Sequence, residues 1–289
     1  MVIYNNISDV ETLLRGMPSL RRLPARTKVG LALDLALVGL SLRTGCLIDS
    51  FLPKDPVAEF SQILRTLRNT PATAEIGANI VHLFEPESEQ SFLVNRNLVP
   101  LRLGPLLELN YNGVSPTFVE VSPPSHFKHL EVVPEALCSV LRYLVDKFRL
   151  DSNTGVPYSL SLPKNLHIEL TVPLAAILLD YAVAYVPSIF EEDAETSHKF
   201  LAGVAVATYE CTLTLGFTNK QQEGLEPEVR VMKFSCPRSL EESQPDRYSP
   251  EAISESVLKE LERRIALTSS DCVVARLRHE YVTYDRLAM

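Results

Sequence analysis

From Ala205 through Phe217 every second residue is apolar (Ala205, Ala207, Tyr209, Cys211, Leu213, Leu215, Phe217), and Thr208, Glu210, Thr212 and Thr214 fill positions between. A period of two marks a strand with one buried and one wet face. A second strand over 228–236 follows the loop 218–227, so the two read as a hairpin. The closing segment repeats the alternation, with Val273, Ala275, Leu277 and His279 on the inward row and Arg276, Arg278 and Glu280 outside. Between them Ser249-Pro250 opens a helix with the apolar stripe Ile253, Val257, Leu258, Leu261 and Ile265. A one-sided sheet and a one-sided helix each need an apolar cover. The odd row is therefore expected to face that helix, and the last strand to return to the same sheet.

Earlier in the chain the period lengthens. Helices are expected from Ser8, where Glu11 completes a capping box, over 26–43, and from the Asp55-Pro56 cap. The helix after Pro134 is the clearest, with Leu137, Val140, Leu141, Leu144, Val145 and Phe148 on one face. Short strands are expected at 46–49 and 117–121, and 79–84 with 91–99 reads as a hairpin around an acidic turn. Tyr158–Leu162 and Leu166–Thr171 read as strands, and the apolar run 175–186 as a buried one. These elements give an α+β protein, its largely antiparallel or mixed sheet packed against several amphipathic helices. The reading is one domain over 1–289, with 151–155 dividing a helix-rich 1–150 from a strand-rich 151–289.

Composition narrows the function classes. The chain has 289 residues, 46% of them hydrophobic, and a net charge of −8, which argues against a duplex nucleic-acid binder. The two most apolar stretches, 29–42 and 172–190, carry Asp34 and Asp180 at their centres. A central Asp costs roughly 2.5–3.5 kcal/mol on insertion, so no membrane partner is expected. Five widely spaced cysteines without a C-x-x-C fit buried thiols in a reducing compartment. Asn5, Asn6, Asp9 and Glu11 precede any apolar run, so no signal peptide is expected, and the location is read as intracellular, cytoplasmic or nuclear.

Candidate chemistry is sparse. His167 and Glu169 share the polar face of the strand expected at 166–171, as a base and its orienting carboxylate would. Asp49 ends a short apolar strand and Asp180 interrupts a long one, positions where α/β enzymes place metal ligands or nucleophiles. Cys236, in Cys-Pro-Arg-Ser-Leu, lacks the spacing and glycine of a phosphate cradle. His126 and His129 are spaced for a helical turn without a third ligand. No cofactor or metal is expected.

The segments Ala176–Tyr185, Met232–Leu240 and Glu280–Met289 resemble a small eukaryotic protein family without an assigned activity, known by a human chromosome 1 open-reading-frame label. The resemblance implies an intracellular eukaryotic protein of one domain and carries no catalytic residues with it. The resulting expectation is a non-catalytic protein-interaction module. The alternative is a metal- or acid/base-dependent hydrolase using Asp49, Asp180, His167 and Glu169.

Overall fold

The computed structural model describes residues 2–108, 116–122, 126–150, 157–164, 166–188, 203–215, 228–268 and 273–284. Helices α1 (Val2–Gly16), α2 (Ala25–Gly39), α3 (Pro56–Asn69), α4 (Ala74–Ala78) and α5 (Leu98–Leu103) are interleaved with strands β1 (Gly45–Leu47), β2 (Ile80–Glu85) and β3 (Gln90–Asn95). Then come β4 (Thr117–Ser122), β5 (His126–Leu130), α6 (Glu135–Leu150), β6 (Ser159–Ser161), α7 (Ile168–Leu178) and β7 (Val183–Pro187). The remainder is β8 (Ala205–Leu215), β9 (Glu228–Pro237), α8 (Arg238–Ser243), α9 (Pro245–Tyr248), α10 (Pro250–Leu267) and β10 (Val273–Thr283).

The strands form three sheets, ordered β1-β3-β2-β6, β5-β4-β7 and β10-β8-β9. The first two are mixed, because β6 joins β2 and β7 joins β4 in parallel, and the third is antiparallel throughout. This is the α+β class that the pattern predicts. Both mixed sheets draw strands from either side of 151–155, a segment that itself lies outside the described residues.

Caps fix several helices where the sequence places them. Asp55 accepts the amide of Ala58 at 2.9 Å, and Ser249 that of Ala252 at 3.3 Å, each followed by proline at the first helical position. Ser8, expected as a cap, instead lies inside α1, which already begins at Val2. The hairpin β2–β3 pairs Ile80 with Asn95 and Glu85 with Gln90 around the expected acidic turn, but β3 ends at Asn95 and Val99, expected in the strand, lies in α5.

The middle sheet is a wall between two cores. On β7, Val183 and Tyr185 face the core under the third sheet, while Ala184 and Val186 face the core built on α6 and α7. A parallel strand covered on both faces reads as a continuous apolar run, which is why its pattern never alternates.

Two expected strands prove to be something else. Residues 166–171 do not form a strand: Ile168 onward is α7, and the run 175–186 is the end of that helix, a turn and β7. Five of the eleven residues of α7 are buried, Pro173, Leu174, Ala176, Ile177 and Leu178, and the others are half-buried. A helix that is apolar all round shows no stripe, so its period is hidden.

The C-terminal sheet matches expectation more closely. β8 is central, β9 and β10 flank it, and its odd row from Ala207 to Leu215 shares a core with Ile253, Val257, Leu261 and Ile265 of α10, while Ala205 at the strand's start is exposed. Phe217, the last member of that row, lies outside the described residues. The supposed wet face is not wet, however. Thr208, Thr212 and Thr214 are buried, with Thr212 only 6% exposed. A register shift between Cys211 and Thr212 lets Glu228 of β9 accept the Thr212 hydroxyl at 2.7 Å, closing that face. His279 lies on the inward row but is exposed, because β10 is the sheet's edge. Its ring touches those of Tyr209 and Tyr281, each at 5.9 Å.

Candidate functional site

Of the four carboxylate and imidazole candidates, Asp180 has the most developed surroundings. Helix α7 ends in a Schellman turn: the amide of Tyr181 reaches the Ala176 carbonyl at 2.9 Å and that of Asp180 the Ile177 carbonyl at 3.3 Å. Asp180 takes the left-handed position of this motif, with φ of 62°, where glycine is usual and Asp is tolerated. Helix α2 ends the same way, with Ser41 at φ 62° and Leu42 bonding back to Leu37 at 2.9 Å. The two helix ends meet. Thr44, just past the α2 turn, donates its amide and its hydroxyl to the Asp180 carboxylate, both at 2.7 Å.

Arg264 of α10 closes the node from the opposite side. Its two terminal nitrogens donate to the Asp180 oxygens at 2.8 and 3.0 Å, a bidentate pair. Nη2 also reaches the Thr44 hydroxyl at 3.2 Å, Nη1 the Leu42 carbonyl at 3.5 Å, and Nε donates to Glu260 at 2.8 Å. All five donors of the guanidinium thus have acceptors. Arg102 of α5 adds a longer ion pair to Asp180 at 3.8 Å. Burial alone would raise the Asp180 pKa, but Arg264 and then Arg102, with the Thr44 amide, hold it down at about 2. The node forms the floor of a cleft of about 660 Å³ whose walls include Glu255, Lys259 and Arg263. A carboxylate with every lone pair committed and its charge locked in place joins elements together; it does not exchange protons near neutrality.

The other three candidates lie elsewhere. His167 is the exposed residue before α7 and Glu169 is in its first turn, so both are at the opposite end of that helix from Asp180. Eleven helical residues separate the ends by about 16 Å. Asp49 is exposed beyond β1. Among the described residues no hydrogen bond or ion pair joins any two of the four, and no group of three or more His, Cys, Asp and Glu could hold a metal ion.

Two histidines have partners that sequence reasoning missed. His82 is fully buried on β2, stacked on Phe60 at 4.5 Å, and shares a 2.7 Å hydrogen bond between its Nδ1 and Ser159. Desolvation pushes its pKa down to about 3, so it is neutral in the fold. His129, which with His126 falls on β5 and not on a helix, bonds the Tyr248 hydroxyl at 2.7 Å and Arg247 at 2.9 Å. His82 stands among the apolar residues Ile80, Val81, Leu83 and Phe84, but nothing local foretold either partner. Cys236 is buried with its thiol pushed up to about 12, as is Cys211, which suits core packing and not nucleophilic chemistry.

One surface stands out by its backbone. β10 pairs with β8 over Val273–Thr283 without a bulge, and among the described residues β8 is its one strand neighbour. Among the described residues the opposite edge therefore presents the outward amides and carbonyls of alternate residues without a strand partner over the eleven-residue length of β10. The strand holds no proline or glycine, and Val274 and Tyr281 are about half exposed. Arg278 has 68% of its side chain exposed, lies opposite Glu210 and is ion-paired to Glu228 at 3.5 Å.

The chain is thus an α+β protein whose described residues include a mixed-charge strand edge on β10 and a buried ion-pair node. No family model, no curated protein and no solved structure matches it. Among the described residues no helix is long and apolar enough to cross a membrane.

Proposed function

We propose that the protein works as a non-catalytic protein-interaction module whose docking element is the outer edge of β10. The observation that carries this reading is the length and openness of that edge. An exposed strand of eleven residues is a template for strand addition, in which main-chain hydrogen bonds supply affinity and alternate side chains supply selectivity. The dispersal of Asp49, Asp180, His167 and Glu169 supports the same choice over a hydrolase, since acid/base chemistry needs its groups within reach of one substrate. A eukaryotic, intracellular setting, as the family resemblance implies, belongs to this proposal too.

The test is site-specific photo-crosslinking in cells. A photoreactive side chain at Val274, on the open edge, should give discrete protein adducts. The same probe at Tyr4, similarly exposed on α1, should not give them. Identical adduct patterns from the two positions would overturn the reading.

A further inference from the structure

We propose, building on the docking role of β10, that its partner is β10 of a second copy, paired antiparallel about a two-fold axis through His279. Such an axis stands normal to the sheet, because only that orientation makes two copies of one strand antiparallel neighbours. It keeps each residue on its own face, so residues of equal parity must meet. The possible registers are then few, and charge separates them.

The outward row reads Arg276, Arg278, Glu280. Centred on Leu277, the pairing opposes Arg276 to Arg278 twice. Centred on Arg278, it sets Arg276 against Glu280 twice but opposes the central arginine to its own copy. Centred on Glu280, it opposes two glutamates. Centred on His279, it sets Arg278 against Glu280 twice, Leu277 against Tyr281 twice and Arg276 against Val282. Directly opposed unlike charges and aromatic–aliphatic pairs are the favourable cross-strand combinations, and opposed like charges are unfavourable.

The same charges explain why the edge does not recruit strands at random. Charged side chains guard an edge against generic pairing, and a mixed-sign row admits only its complement. Read backwards, this strand is its own complement. Pairing from Ala275 to Thr283 would join two three-stranded sheets into one of six strands, with each β8 remaining inside.

Sedimentation equilibrium with full-length protein tests this directly. The unmodified chain should show a concentration-dependent dimer. Arg278→Glu alone, or Glu280→Arg alone, should each weaken it roughly tenfold or more, since two attractive pairs become two repulsive ones. Mixing the two singly substituted chains should restore a heterodimer, because each then opposes glutamates to arginines. The doubly substituted chain should pair with itself as the original does. Both positions are exposed, so each variant should stay folded, Arg278→Glu with a small loss of midpoint because it then faces Glu210 and Glu228, and thermal unfolding serves as the folding control. A chain that stays monomeric, single variants that dimerise unchanged, or a mixture that fails to recover would each overturn self-pairing. Crosslinks from Val274 to a different protein would do so too, while leaving the docking role of β10 intact.

Discussion

Replacing Asp180 with Asn removes one charge from the node and little else. Asn is nearly the same size and favours the left-handed backbone at least as well as Asp, so the Schellman turn is undisturbed. What changes is that Arg264, 5% exposed, loses the only buried anion facing its two terminal nitrogens. Glu260 remains as a partner, but at 40% exposed it is largely in water and worth little. Removing one member of a buried pair costs about 3–5 kcal/mol, because the other charge stays behind uncompensated. Against a total of about 5–15 kcal/mol this is a large share.

Urea unfolding followed by circular dichroism should therefore show a clear drop in midpoint for Asp180→Asn. Glu260→Gln should shift it by no more than about 1 kcal/mol. Adding Arg264→Met to Asp180→Asn should recover part of the loss, about 2 kcal/mol, since of the two arginines paired with Asp180 only the more distant Arg102 then keeps its charge. The pH dependence carries its own sign. The native pKa of Asp180, about 2, lies below the ordinary 3.8, so its ionised form stabilises the fold above about pH 4 and this is lost as pH falls. The contribution at neutrality is about 2 kcal/mol, of which about 1 is gone by pH 3. The gap between the unmodified protein and Asp180→Asn should narrow accordingly. A cost under about 1 kcal/mol at pH 7, or a gap unchanged at pH 3, would show that the node is not what holds these elements together.

Other expectations follow from burial. His82, neutral in the fold with a pKa of about 3 against an ordinary 6.5, must be protonated on unfolding in acid, so stability should fall from pH 6.5 towards 3 by up to about 5 kcal/mol; His82→Gln should flatten that slope in acid titrations of unfolding. Leu213→Asp should cost more than about 4 kcal/mol through an unpaired buried charge, and Thr212→Asp about 1–3 kcal/mol because it meets Glu228; a Thr212→Asp protein with an unchanged thermal midpoint would contradict the closed face. Among Cys46, Cys138, Cys211 and Cys236, the half-buried Cys138 should be labelled first by a thiol reagent, which peptide mass spectrometry can rank.

The contrast between β8 and α7 shows what a sequence pattern carries. β8 has one neighbour on each side and one core beneath its odd row, so its alternation names both its conformation and its inward face. The pattern could not anticipate the bulge at Cys211 and Thr212, since a bulge depends on which β9 residues lie opposite. In α7 the pattern misleads, because Leu166, Ile168 and Leu170 alternate across the start of a helix that is apolar on nearly every side beyond its first turn. A local signal for its end did exist: a lone Asp between two apolar runs suits the left-handed stop of a helix better than the middle of a strand. Its partners were beyond any local signal. Thr44 lies 136 residues from Asp180 and Arg264 lies 84 residues away. The node exists because α2 and α7 end in the same turn and Arg264 of α10 reaches the residues just past both ends. Legible chemistry in this chain is therefore chemistry repeated along a strand, as on β10, where the spacing of Arg276, Arg278 and Glu280 is itself the geometry.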